Sequence, residues 1–258
     1  MKRNLLLTLR FVGTRYHGFQ VQKNALSVCT VFQDAVEQVM GSRLDVKGCS
    51  RTDAGVHANQ YCLSMEVEKP IPCDKLVLAL NRYLPEDVAV THCREVDFDF
   101  HARYSSTGKE YVYKLLNSRI RDPFSTDLVY RWGYPLEVEM LHRQAQDLVG
   151  KHDFAAFQAA GSDVLDTVRT IHSFRVERQG DLVLFTVTGD GFLYKMVRIM
   201  VGTLLQIAAG KLPQGCIPKI LESRNRQQAG KTAPACGLYL NRVFYDLPGW
   251  DSPYPSDL

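Results

Sequence analysis

Nine residues between two β-rich runs, Ser50-Arg51-Thr52-Asp53-Ala54-Gly55-Val56-His57-Ala58, concentrate an arginine, a carboxylate, a glycine and a histidine. A loop between strands is where a rigid scaffold presents reacting groups to a ligand. An aspartate stays ionised at neutral pH unless its pKa climbs about three units from its usual value near 3.9, so Asp53 could act as a nucleophile with no separate base. The same residues also fit an Asx-capped turn with a surface ion pair between Arg51 and Asp53, and spacing alone leaves both readings open. An aspartate near His57 and His101 could suggest a metal hydrolase. No third ligand follows at a recognised metal-binding spacing, so no metal is expected and both histidines are read as structural hydrogen-bonding groups.

The elements that must position this loop follow from periodicity. Asn4 to Phe11 is a β-rich run closed by turn chemistry from Gly13 to Gly18. From Ser27, apolar residues recur at Val28, Val31, Phe32, Ala35, Val36, Val39 and Met40, which predicts a helix with Ser27 as N-cap and Gly41 as stop. Strands are expected over Leu44 to Cys49 and Tyr61 to Val67, a second helix from Pro72, and a strand over Val88 to Val96. The order β-α-β-β-α-β is that of the ferredoxin-like, split-βαβ fold. The second half repeats it with a strand at Lys109 to Leu116, a helix near Val138 to Val149, strands near Thr167 to Val176 and Leu182 to Thr188, a helix from Tyr194, and a strand at Leu238 to Tyr245. The expected class is therefore α+β, with two ferredoxin-like halves, antiparallel sheets side by side, helices on one side and a cleft between the halves. The halves are placed at 1–103 and 104–247, with a loose tail at 248–258.

Composition narrows the function classes. Against 31 Lys+Arg stand 28 Asp+Glu, a net charge of +3, so any nucleic-acid site must be a local patch and not bulk charge. The seven cysteines are odd in number and scattered, with no C-x-x-C pair, and read as reduced thiols. The apolar start at Leu5-Leu6-Leu7 is broken by Thr8 and Arg10 too early for a signal peptide, and no stretch reaches membrane-spanning length, so a cytoplasmic protein with no membrane association is expected. Neither G-x-x-x-x-G-K-[ST] nor G-x-G-x-x-G occurs, which argues against a nucleotide cofactor.

The Ser50 to Ala58 block resembles the active-site motif of the TruA family of tRNA pseudouridine synthases. Four further blocks resemble that family's, in the same order: Phe100-His101-Ala102-Arg103, Lys109-Glu110-Tyr111-Val112-Tyr113, Gly191 to Arg198, and Thr232 to Leu240. Together they span nearly the whole chain. The resemblance implies isomerisation of uridine to pseudouridine at positions 38, 39 and 40 of the tRNA anticodon stem-loop, without a cofactor, by a homodimer that holds tRNA across both subunits. It implies Asp53 as covalent nucleophile, at either the ribose C1′ or the uracil C6. Arg198 would pair with Asp53 and keep it ionised and aimed. Tyr111 would stack on the uracil and serve proton transfer at C5, while Tyr113 shares its face with no role assigned. Arg51 would fill the gap left by the flipped base, and Leu238 would wall the pocket. Arg15, Tyr16, His17 and Gln20, with Gln22 and Lys23, would contact RNA through phosphate donors and stacking aromatics.

Three departures stand out: Phe11-Val12-Gly13 replaces a usual tyrosine-aspartate-glycine, Ser50 a glycine, and Cys29 a glutamine. None is an implied catalytic group, but a divergent first loop could mark a paralogue acting on other RNA uridines. The rival from another class is a non-catalytic RNA-binding protein built from paired ferredoxin-like halves. It would show aromatic RNP blocks, and this sequence has none.

Overall fold

The computed structural model describes residues 2–162 and 164–250. Contacts divide the chain into two units, one running to Thr107 and taken up again from Leu240, the other Gly108–Tyr239.

The first unit contains β1 (Arg3–Phe11), α1 (Val28–Met40), β2 (Lys47–Gly48), β3 (His57–Val67), α2 (Cys73–Asn81) and β4 (Val88–Val96). Its strands run in the order β4-β1-β3 with β2 on β3, antiparallel throughout, as the ferredoxin-like order requires. The predicted ends of α1 are those observed. Thr30 N–H donates to Ser27 Oγ at 3.1 Å, and Gly41 turns left-handed at φ 79° while its N–H donates to Glu37 O. The face carrying Val28, Phe32, Ala35, Val36 and Met40 is buried, and each large side chain there contributes about 1.5–3 kcal/mol.

Two boundaries moved. The strand expected from Leu44 shrinks to Lys47–Gly48, because side chains take over the local backbone bonds: Gln33 Nε2 donates to Leu44 O, and Val46 N–H donates to Asp45 Oδ1. Conversely, β3 begins at His57, four residues early, because Phe11 pairs with Ala58 across an irregularity in β1. Both faces of β3 are covered, for Cys62 and Ser64 are as buried as Leu63 and Met65. Residues 97–102 lie over that face. Ala102 N–H donates to Ser64 Oγ, Asn4 Nδ2 donates to the carbonyls of Asp97 and Phe100, and Tyr245 Oη donates to Ala102 O.

The second unit contains β5 (Ser106–Leu116, within the unit from Gly108), β6 (Tyr130–Arg131), α3 (Val138–Gln146), β7 (Gly150–Asp153), β8 (Val168–Gln179), β9 (Leu182–Gly189), α4 (Met196–Ala208) and α5 (Ile217–Ser223). Its sheet runs β5-β9-β8-β7 in antiparallel pairs, with β6 added parallel to the end of β5. The helix expected from Tyr194 starts at Met196, because Tyr194 O is taken by Ala159 N–H and Lys195 is left-handed at φ 58°.

The closing strand β10 (Leu238–Tyr245) has the predicted bounds, but from Leu240 it groups with the first unit instead of the C-terminal half. It neighbours β3 there, and Val243 N–H donates to Gln60 Oε1 at 2.8 Å. Of the expected tail, residues 251–258 lie outside those described. Pro248 to Trp250 are docked: Trp250 Nε1 donates to Val243 O, its ring meets Tyr245 edge-on, and Arg94 donates to Pro248 O.

Candidate active site

In the first unit the Arg-Thr-Asp loop is held against the first loop by close backbone packing. A Cβ on Gly13 would lie 1.9 Å from Val56 O, and one on Gly18, at φ 82°, would lie 2.1 Å from Thr52 O. Both positions therefore exclude any side chain. Gly55 N–H donates to Tyr16 O, Val56 N–H to Asp53 O, and Gly13 N–H to His57 Nδ1 at 2.9 Å. The buried His57 is thus an acceptor at Nδ1 that ties the two loops together. From beneath, Tyr61 Oη donates to Ser50 O while Phe19 stacks on the Tyr61 ring at 4.1 Å. This fixed backbone leaves Asp53 half-buried and Arg51 exposed.

The first loop is braced in turn by Asp87, in the turn before β4. Arg15 Nε donates to Asp87 Oδ2 at 2.7 Å and Tyr16 Oη to Asp87 Oδ1 at 2.6 Å. Burial pushes the Asp87 carboxyl up, but the bonds from Arg15 and Tyr16 outweigh it and hold the carboxyl below its usual range. Burial, then the bond to Asp87, pushes the Tyr16 hydroxyl up to about 12. Tyr16 is only 2% exposed, so its ring packs as a strut under the loop. Arg15, His17, Gln20, Gln22 and Lys23 are exposed, though Gln22 Nε2 is engaged by His17 O.

In the second unit, Tyr111 of β5 lies opposite Val187, is buried, and meets Phe192 edge-on at 5.1 Å. Phe192 follows a turn in which Thr170 and Asp190 exchange bonds, with Thr170 N–H donating to the Asp190 carboxylate and Asp190 N–H to Thr170 O. Arg198 occupies the first turn of α4. Its Nε donates to Ala233 O at 2.8 Å, and Ala233 N–H donates back to Arg198 O at 3.0 Å. A cation at a helix N-terminus opposes the helix dipole, so this position is suited to a nearby anion.

Tyr113 now has a role. Its hydroxyl donates to Pro234 O at 2.9 Å, and Gly237 lies so close that a Cβ would come 2.6 Å from the Tyr113 ring. Burial pushes the Tyr113 hydroxyl well above its usual range, which keeps it a neutral donor. The segment 233–238 is thereby tied to Arg198 at one end and Tyr113 at the other, and the buried Leu238 follows directly. Sequence reasoning gave no role to Tyr61, to Asp87, or to Phe192 within the Gly191 to Arg198 block. His101 Nδ1 accepts from Arg103 N–H, a local structural bond. Among the described residues no group of three or more His, Cys, Asp or Glu could hold a metal, and no helix is long and apolar enough to cross a membrane.

The sequence profile of the tRNA pseudouridine synthases matches residues 8–105 and 144–246. The chain belongs to that family. It is 44% identical over 243 residues to tRNA pseudouridine synthase A of Acetivibrio thermocellus, covering 94% of this chain and all of that one. It is 41% identical to the protein of the same name from Thermoanaerobacter sp. and 42% identical to that of Ruminiclostridium cellulolyticum, again over 94% of this chain and the whole of each relative.

Proposed function

We propose that this protein isomerises uridine to pseudouridine in tRNA, at positions 38, 39 and 40 of the anticodon stem-loop, with Asp53 as the nucleophile. The observation that carries the reading is the Arg-Thr-Asp loop, pinned at Thr52 and Val56 by glycines that admit no side chain. Precise backbone placement of a carboxylate is what a covalent step demands. Asp53 bonds to C1′ or C6, the N1–C1′ bond breaks, the uracil turns, a C5–C1′ bond forms, and the bond to Asp53 breaks to return the free carboxylate. C5 then loses its proton and N1 gains one, so the net change is an isomerisation that consumes no cofactor.

Arg198 supplies the charge that holds Asp53 ionised, Tyr111 carries the uracil face and the C5 proton transfer, Leu238 walls the base, and Arg51 fills the vacated stack. Arg15, His17 and Gln20 contact the RNA backbone. Tyr16 acts beneath them as their support.

The working form is a cytoplasmic homodimer. Ile120, Phe124 and Tyr134 are 78%, 94% and 72% exposed, and large apolar side chains so open to solvent are candidates for cover by a second subunit. Mapping pseudouridine by position in unmodified tRNA transcripts, with wild type and Asp53→Ala and no metal or nucleotide added, tests the reading. Modification at 38–40 by wild type alone is expected. Pseudouridine elsewhere would point to a paralogue, and tRNA binding without any product would sink the enzymatic reading.

A further inference from the structure

The cysteines read as scattered reduced thiols include one pair the fold brings together. Cys73 is the first residue of α2 and Cys93 lies within β4, 20 residues later, and their sulfurs are 3.0 Å apart, with the Cys93 thiol donating to Cys73 Sγ. A disulfide needs about 2.05 Å, so the pair must close by only about 1 Å. The two elements are already fastened at their other ends. Asn81 Nδ2 donates to Val90 O at 2.7 Å and accepts from Val90 N–H at 2.8 Å, which keeps α2 and β4 in register. Leu76 and Leu80 bury the face between these ties. Both thiols are half-buried, whereas Cys29, Cys49 and Cys62 are buried.

We propose that Cys73 and Cys93 form a reversible intramolecular disulfide by exchange with a low-molecular-weight disulfide such as oxidised glutathione. The direction of the hydrogen bond sets the order of attack. Cys73 Sγ, the acceptor, attacks one sulfur of glutathione disulfide, the S–S bond breaks, and one glutathione leaves as thiolate and takes up the proton that Cys73 gave up. Cys93 Sγ then attacks the Cys73 sulfur of the mixed disulfide and transfers its own proton to the second departing glutathione. Two protein thiols and one glutathione disulfide thus become one protein disulfide and two glutathione thiols. Burial, then the bond to Cys73, pushes the Cys93 thiol up, in keeping with its role as the second, resolving sulfur.

The site lies apart from the Asp53 loop, so the oxidised protein should retain catalytic competence while its first unit is harder to unfold. The test is to equilibrate the full chain with oxidised glutathione, alkylate, and map the cysteine peptides. In wild type the Cys73 and Cys93 peptides should be joined, with about 2 Da lost, and should separate again with dithiothreitol. The melting temperature of the oxidised form should rise by about 5–10 °C. Cys93→Ser should stop at a glutathione adduct on Cys73, and Cys73→Ser should leave Cys93 alkylatable. Recovery of both thiols alkylated in wild type, or the same adduct pattern in both serine variants, would overturn the proposal.

Discussion

The Asp53 loop of the first unit and the Arg198 segment of the second are held in place by opposite means. The Asp53 loop is partly exposed, and its position is set by backbone against backbone at Gly13 and Gly18, where glycine alone is small enough for the contact. The Arg198 segment rests on a buried helix and on the buried Tyr113, with the half-buried Phe192 edge-on to Tyr111 in the same unit. The difference teaches where tolerance should lie. Damage to the loop should cost activity before stability, and damage to the helix side should cost stability first.

The sharpest way to break this comparison is a matched pair of glycine substitutions. A Cβ on Gly202, within α4, would fall 1.7 Å from Lys231 O in a fully packed region. Gly202→Ala should lose about 3 kcal/mol or more in urea unfolding. Gly18→Ala meets Thr52 O at 2.1 Å and carries an unfavourable φ, in a partly exposed loop and not inside a buried helix. It should lose only about 1–2 kcal/mol while turnover falls about a hundredfold. Equal stability losses with equal turnover would erase the distinction.

The two tyrosines sharpen it further. Tyr61→Phe frees Ser50 O and Tyr113→Phe frees Pro234 O, each worth about 1 kcal/mol. Turnover should fall more in the Tyr61 variant, at similar stability loss, as kinetics and melting curves on the same preparations would reveal.

Acid should act on the first unit through Asp87. Its folded pKa is lowered, so its contribution is present above the unfolded value near 3.8 and disappears as pH falls through the folded one. The stability gap between wild type and Asp87→Asn should therefore be widest above about pH 5 and should close below about pH 4. A gap that widens in acid would refute this assignment. The smallest effect belongs to Arg15→Ala, whose ion pair with Asp87 is largely solvated on the arginine side, so stability should change by less than about 1 kcal/mol.

Much of the fold was legible because it rested on periodicity. The α1 bounds and the β10 bounds could be read from caps and alternation. What was not legible involved partners distant in sequence: the early start of β3 depends on Phe11, and its buried second face on residues 97–102. Helix α5 escaped because seven residues, with Ile217, Ile220 and Leu221 buried, are too few for a period to stand out. At the site, the motif blocks could be recognised residue by residue. The supports could not, since nothing in Tyr16 distinguishes a stacking aromatic from a strut until Asp87, 71 residues away, is seen beside its hydroxyl.

Tritium release from tRNA labelled at uridine C5, measured with wild type and Asp53→Asn, tests the central claim most directly, because loss of the C5 proton accompanies every turnover. The account predicts release by wild type and a loss of about ten-thousandfold or more in the variant, with an unchanged melting temperature. Release by a folded Asp53→Asn protein within about tenfold of wild type would contradict Asp53 as the nucleophile.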